Sequence, residues 1–182
     1  MAKRKRILFL LHLPPPIHGS SVIGKLIKES DIIKKDFECY FLNLLASKDV
    51  TESGHANLKK ILRFASTWFK VFKMILFRRP SICYFALSTT GKAFFKDAVL
   101  IALIKIFNIK LIYHLHNKGV SQYQQKRMYK FFYNYVFKDV KVILLSKALY
   151  RDIEAFVPYT NVYICPNGIK LTTWAFCYSQ AH

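Results

Sequence analysis

The sequence predicts an α/β domain of the doubly wound type on a mainly parallel, Rossmann-like sheet. Three observations carry that expectation. Short apolar runs recur along the chain, and nearly every gap between them has helical character. The runs are continuous rather than alternating, as burial of a sheet on both faces requires. Hydrophobic residues make up 53% of the 182 positions, enough to fill one core of ordinary domain size.

The elements follow in order. Ile7–Leu13 is the first strand, with Lys3 to Arg6 as a basic entry. The run is short and ends in Pro14-Pro15-Pro16 with no small-residue cleavage site, so a strand fits better than a signal peptide. Ser20–Lys28 is a helix with Ser20 or Ser21 as N-cap. Glu38–Leu42 is a second strand and Leu58–Phe77 a long helix. Ser81–Leu87 is the third strand, entered at Pro80. Lys92–Phe107 is a helix apolar nearly all round. Lys110–His114 is the fourth strand, Gln122–Phe137 a helix rich in aromatic and basic residues, and Lys141–Leu145 the fifth strand. Lys147–Phe156 is a short helix and Val162–Cys165 a sixth strand. Residues 1–169 form one domain on this reading. Residues 170–182 fit no further element and are expected to be an aberrant or unstructured tail.

Charge is the compositional outlier. There are 29 Lys and Arg against 10 Asp and Glu, a net charge of +19, which implies an acidic partner. In the long helix, Leu58, Ile61, Leu62, Ala65, Phe69, Phe72 and Leu76 recur at helical spacing. Lys59, Lys60, Arg63, Lys70 and Lys73 lie mostly opposite, with Trp68 at the boundary. That pattern suits a helix lying in a membrane interface. A second helix sets Lys126, Arg127 and Lys130 among aromatics. An anionic membrane surface is therefore preferred to nucleic acid, for which no recognition motif is present. No stretch is long and uncharged enough to span a bilayer.

Cys39, Cys83, Cys165 and Cys177 lack metal or redox spacing. The first three lie in apolar runs and read as buried thiols of a reducing compartment. Thr89-Thr90-Gly91-Lys92 resembles the tail of a phosphate-binding loop, but Ala86 and Ala93 stand where that motif needs Gly and Ser or Thr. His55 reads as a loop histidine, and no set of side chains has metal-ligand spacing.

Three loops at predicted strand ends carry the chemistry. After the first strand comes Pro16-Ile17-His18-Gly19-Ser20-Ser21, then a helix N-terminus, a combination that suits a phosphate or an ordinary capped turn. After the fourth strand, His114 and His116 share one face, followed by Asn117, Lys118 and Gly119. The sixth strand runs into Pro166-Asn167-Gly168-Ile169, a turn. In a doubly wound sheet such loops meet at the ligand cleft.

In this order, the three loops resemble the N-terminal domain of glycosyltransferase family 4, the retaining group with the two-domain GT-B fold. The resemblance covers roughly Ile7 to Ile169. It implies that Gly19, Ser20 and Ser21 approach the donor diphosphate, and that His116 and Asn117 contact the transferred or acceptor sugar. It implies that Pro166, Asn167 and Gly168 form an interdomain hinge, and that catalysis uses no metal and no bound cofactor. The acceptor would be a glycan or a polyprenyl-phosphate-linked sugar at the cytoplasmic face of the membrane, where the protein would be peripheral. The first loop departs from the family in having a single glycine, Gly19. The chain also stops before the domain expected to hold the sugar nucleotide. The expectation is thus an acceptor-binding, membrane-associating half of a glycosyltransferase, inactive alone, with nucleotide-sugar bound only if a second domain is supplied. A non-catalytic membrane-surface adaptor is the alternative, and a basic nucleic-acid-binding domain the more remote one.

Overall fold

The computed structural model describes residues 4–44 and 56–168. His55, Cys177, Ile169 and the 170–182 segment lie outside the described residues, as do the side chains of Lys59 and Lys60. The elements are β1 (Lys5–Leu11), α1 (Gly19–Glu29), α2 (Asp31–Asp36), β2 (Phe37–Asn43), α3 (Ala56–Arg78) and β3 (Ile82–Leu87). They continue with α4 (Gly91–Ile106), β4 (Lys110–Leu115), α5 (Val120–Tyr123), α6 (Arg127–Val136), β5 (Lys141–Leu144), a 3₁₀ turn (Lys147–Asp152) and β6 (Val162–Ile164).

All six strands are parallel, in the order β2-β1-β3-β4-β5-β6. The expected α/β class with a doubly wound parallel sheet is what the chain adopts. Parallel neighbours cannot be joined by a hairpin, so each connection must cross over the sheet. From β1 the chain moves one way to β2, and from β3 it moves the other way to β4. The order therefore reverses between β1 and β3, and crossovers diverging there leave a crevice at the strand carboxyl ends.

One sheet face is buried under α3, α4 and α6. Leu8, Leu10, Phe85, Tyr113 and Val142 meet Val71 and Ile75 of α3, Phe94 and Ile101 of α4, and Tyr133 and Val136 of α6 in one continuous core. The opposite face packs Ile7, Phe9 and Leu11 against Ile27 and Ile33 of α1 and α2. Further along that face, Tyr84, Ile112, His114 and Ile143 form the floor of an open apolar groove of about 670 Å³, with Ile23 and Ile27 of α1 among its other lining residues.

Several local expectations are corrected. α2 was not expected; Ser30 ends α1 and its Oγ accepts from Ile33 N–H, starting α2 at once. The expected Gln122–Phe137 helix breaks into α5 and α6 because Lys126 is extended. After β5 the chain takes 3₁₀ geometry instead of an α-helix. The cap of α1 is His18 rather than Ser20 or Ser21: Nδ1 of His18 accepts from Ser21 N–H, and Ser21 Oγ accepts from His18 N–H. Cys165 is exposed, where a buried thiol was expected, since β6 lies at the sheet edge.

The core face of α3 is also rotated from the expected one. Phe64, Trp68, Val71, Phe72 and Ile75 pack inward, whereas Ile61, Leu62, Ala65, Phe69 and Leu76 are exposed. The apolar arc of this helix is wider than the contact it makes, so a second apolar stripe remains outside.

Gly24 is required by packing. A Cβ on Gly24 would lie 2.1 Å from the carbonyl oxygen of His12, so α1 can approach the end of β1 only without a side chain there. At Gly19 nothing lies within 4 Å of the same construction. Gly24→Ala should lower unfolding free energy by about 1–3 kcal/mol in urea denaturation, and Gly19→Ala should leave it within about 0.5 kcal/mol.

Candidate functional site

The crevice between β1 and β3 holds a cavity of about 460 Å³. The loop after β1 contributes His12, His18, Gly19 and Ser20. The end of β3 and the start of α4 contribute Ser88, Lys96 and Asp97. The end of β4 contributes His116 and Asn117, and Asn167 closes one side. The loops expected to converge do so: Gly19, Ser20, His116 and Asn117 border one cavity.

Ser21 does not border it. It is fully buried, and its hydroxyl bonds Pro16 O at 2.9 Å and His18 O at 2.9 Å. Its role here is to shape the turn that starts α1. Pro166 and Gly168 line the apolar groove instead, and Asn167 lines both spaces.

The histidines are ordered by a short relay. Ser20 Oγ lies 3.2 Å from His12 Nδ1 and 3.0 Å from His18 Nδ1. His18 Nδ1 also accepts from Ser21 N–H. Ser20 thus bridges the two rings, its hydroxyl donating to or accepting from each imidazole nitrogen according to that ring's tautomer. Burial, helped by the neighbouring His18 and His116, lowers the pKa of His12 to about 4. Burial, with His114 and His18 nearby, lowers that of His116 to about 4 as well. Both rings are neutral at physiological pH.

Two imidazole nitrogens stand out. His114 Nε2 and His116 Nδ1 are buried without a hydrogen-bond partner among the described residues. The two rings pack with centroids 4.1 Å apart, as their shared face predicted. His114 Nδ1 is bonded to Tyr84 Oη. His116 borders the cavity, while its Nδ1 itself is sealed from solvent.

Asp97 is the buried carboxyl of the site, 8% exposed. Its Oδ2 accepts from Ser88 N–H at 3.0 Å. Burial raises its pKa to about 7, and the Ser88 bonds and Lys96 only partly offset that.

The walls are held by polar ties behind the cavity. Tyr133 Oη donates to Thr89 O at 2.7 Å, and Tyr129 Oη accepts from Gly91 N–H at 3.0 Å. These bonds tie α6 to the loop after β3. Asp152 accepts from the N–H groups of Gly119, Val120 and Ser121, fixing the loop after β4. The tyrosines of α6 thus turn partly inward, where sequence grouped them with the basic residues.

The sequence reading missed His12, His18, Ser88, Lys96 and Asp97. For Asp97 a signal existed: an acidic residue inside a helix otherwise apolar nearly all round. For His12 the signal was its place at the end of an apolar run. Among the described residues, no group of three His, Cys, Asp or Glu could hold a metal ion.

The electrostatics suit a neutral polar ligand better than an anion. Lys96 is the one Lys or Arg among the described residues bordering the cavity. The N–H groups of Ser21 and Val22 are taken by His18, so the first turn of α1 has fewer donors for a phosphate than expected.

Two pH windows follow. The Asp97 pKa is raised on folding, so its stabilising contribution is full below 3.8 and lost as pH rises through about 7. Asp97→Asn should be more stable than wild type above that window, on the order of 2 kcal/mol, with the gain vanishing in acid. The His12 and His116 pKa values are lowered, so their contribution is present above 6.5 and lost as pH falls through about 4. Thermal melts of wild type, Asp97→Asn and His12→Gln across pH check both. Comparison of the sequence with protein-family models and with curated proteins finds no match, so the chemistry of this cavity carries the functional reading.

Proposed function

We propose that this domain is the acceptor-side half of a glycosyltransferase and that its cavity holds a sugar. The carrying observation is the lining at the β1/β3 crevice: neutral imidazoles, amides, two serines and one buried carboxyl around about 460 Å³. A polyhydroxylated, uncharged ring uses such donors and acceptors at every edge, while a diphosphate would find one lysine. This shifts the expected role of Gly19 and Ser20 from the donor diphosphate to the sugar itself. His116 and Asn117 keep the sugar-contact role that the family resemblance implies.

Glycosyl transfer needs donor and acceptor held together across a cleft. The described residues provide one wall of it. In our reading the nucleotide-sugar and the basic groups facing its leaving diphosphate belong to a second unit, and Pro166-Asn167-Gly168 leads toward it. The purified chain given nucleotide-sugars and glycan or polyprenyl-phosphate-linked acceptors should form no product. Clear transfer without added protein would contradict the half-enzyme reading.

Docking on an anionic membrane is the second part of the proposal, and the helical layer supports it. The exposed stripe of α3 includes Phe69 at 52% and Leu62 at 61% exposure. Arg63, Lys70 and Lys73 lie exposed beside it, and Lys73 Nζ sits 5.1 Å from the centroid of the Phe69 ring. On the same side of the sheet, α6 exposes Met128 and Phe131 near Arg127 and Lys130, with Lys126 over the Tyr123 ring. Trp68 is not part of this surface; it stacks on Phe72 at 5.5 Å and packs into the core. No helix among the described residues is long and apolar enough to cross a membrane. Flotation should therefore find the chain on phosphatidylglycerol vesicles and much less on phosphatidylcholine. Leu62→Glu with Phe69→Glu should weaken binding at least about tenfold. Equal binding to both lipids, or none to either, would remove the membrane from the proposal, and preferential binding of single-stranded nucleic acid would replace it.

A further inference from the structure

We propose that Asp97 is the specificity residue of the strand-end cavity: its ionised carboxylate accepts hydrogen bonds from hydroxyls of the bound sugar. This rests on the sugar-binding reading above and adds the group that selects the ligand. Asp97 borders the cavity while more than nine-tenths buried, and its Oδ2 is oriented by the Ser88 N–H. No ion pair neutralises it among the described residues; the salt bridges found there join Arg6 to Glu38 and Lys25 to Glu29. A carboxylate kept in such a place without a countercharge is destabilising unless a ligand donates to it. Sugar hydroxyls are donors that bring no charge of their own, and a charge-assisted bond to each is stronger than a neutral one.

The imidazoles complement this arrangement. Neutral His12 offers one donor and one acceptor nitrogen, with Nδ1 lying 3.2 Å from Ser20 Oγ. A ring spanning Asp97 and His116 would meet a fixed acceptor at one edge and a neutral imidazole at another. Ligands lacking the hydroxyl that faces Asp97 would leave the carboxylate unpaired, which is how polar sites reject deoxy analogues.

A charge-state requirement follows. The titratable groups facing Asp97 are Lys96 on its own helix, Tyr113 on β4, and His12, His18 and His116 across the cavity. Burial holds the carboxyl near 7, whereas His12 and His116 titrate near 4, so a neutral-range binding transition that disappears in Asp97→Asn belongs to Asp97. Sugar binding should weaken about tenfold for each pH unit below that point and be constant above it.

The test is calorimetric titration of the full chain with a panel of methyl hexopyranosides and their monodeoxy analogues. Measurements run from about pH 5 to about pH 9 in buffers of different ionisation enthalpy. Wild type should bind at least one glycoside, release close to one proton per ligand at the acid end and none at the alkaline end. Asp97→Asn, which retains an oxygen for the Ser88 N–H, should bind at least about tenfold more weakly at the alkaline end and show no proton release. If the variant fails to fold, proton release that persists in His18→Gln, together with discrimination against one deoxy position, decides the matter. Glycoside binding that is independent of pH and unchanged in Asp97→Asn overturns this inference and leaves the sugar-binding function intact. Absence of glycoside binding at every pH overturns both.

Discussion

The reversal of strand order between β1 and β3 is the constraint on which the site depends. Parallel strands must be joined by right-handed crossovers, and crossovers that leave neighbouring strands in opposite directions cannot fill the space between their exits. The loops carrying His12, Ser88 and Asn167 come from different parts of the chain and meet there for that topological reason. Gly24 makes the meeting close, since α1 can press on the end of β1 only where no Cβ stands against the His12 carbonyl. The core beneath α3, α4 and α6 fixes the opposite wall, with buried tyrosine hydroxyls tying α6 to the loop after β3.

Within that frame, burial does most of the chemistry. It neutralises His12 and His116, it holds Asp97 at the edge of ionisation, and it leaves imidazole nitrogens without partners among the described residues. The surface tells the opposite story. A chain of net charge +19 keeps its fixed cations almost entirely away from this cavity and displays several beside exposed apolar stripes on α3 and α6. On the proposed function, a neutral ligand at the strand ends and an acidic surface against the helical layer would be two separate recognitions, carried by different parts of one sheet fold.

The strands were legible because doubly buried parallel strands are unbroken apolar runs, and their order of appearance sufficed for the class. The loops at their ends were legible because strand carboxyl ends gather in such folds, which brought out Gly19, Ser20, His116 and Asn117. Asp97 and His12 were not, because nothing local says which residue of a buried helix faces a crevice made by another loop. The direction of α3 was misread for a related cause. Its apolar arc exceeds the width of its contact with α4 and the sheet, so periodicity found an apolar stripe but not the one that packs. His18 takes the cap position expected of Ser20 or Ser21 because an imidazole nitrogen can cap a helix as a hydroxyl does.

Histidine side-chain NMR, recorded while methyl glycosides and then inorganic phosphate are added, tests the central claim most directly. The account predicts that a glycoside perturbs the ring nitrogens of His116 and His12 at neutral pH and keeps both rings neutral. Phosphate should perturb them far less. Ring protonation driven by phosphate, with no response to any glycoside, would contradict a sugar site and mark the cavity as one for anions.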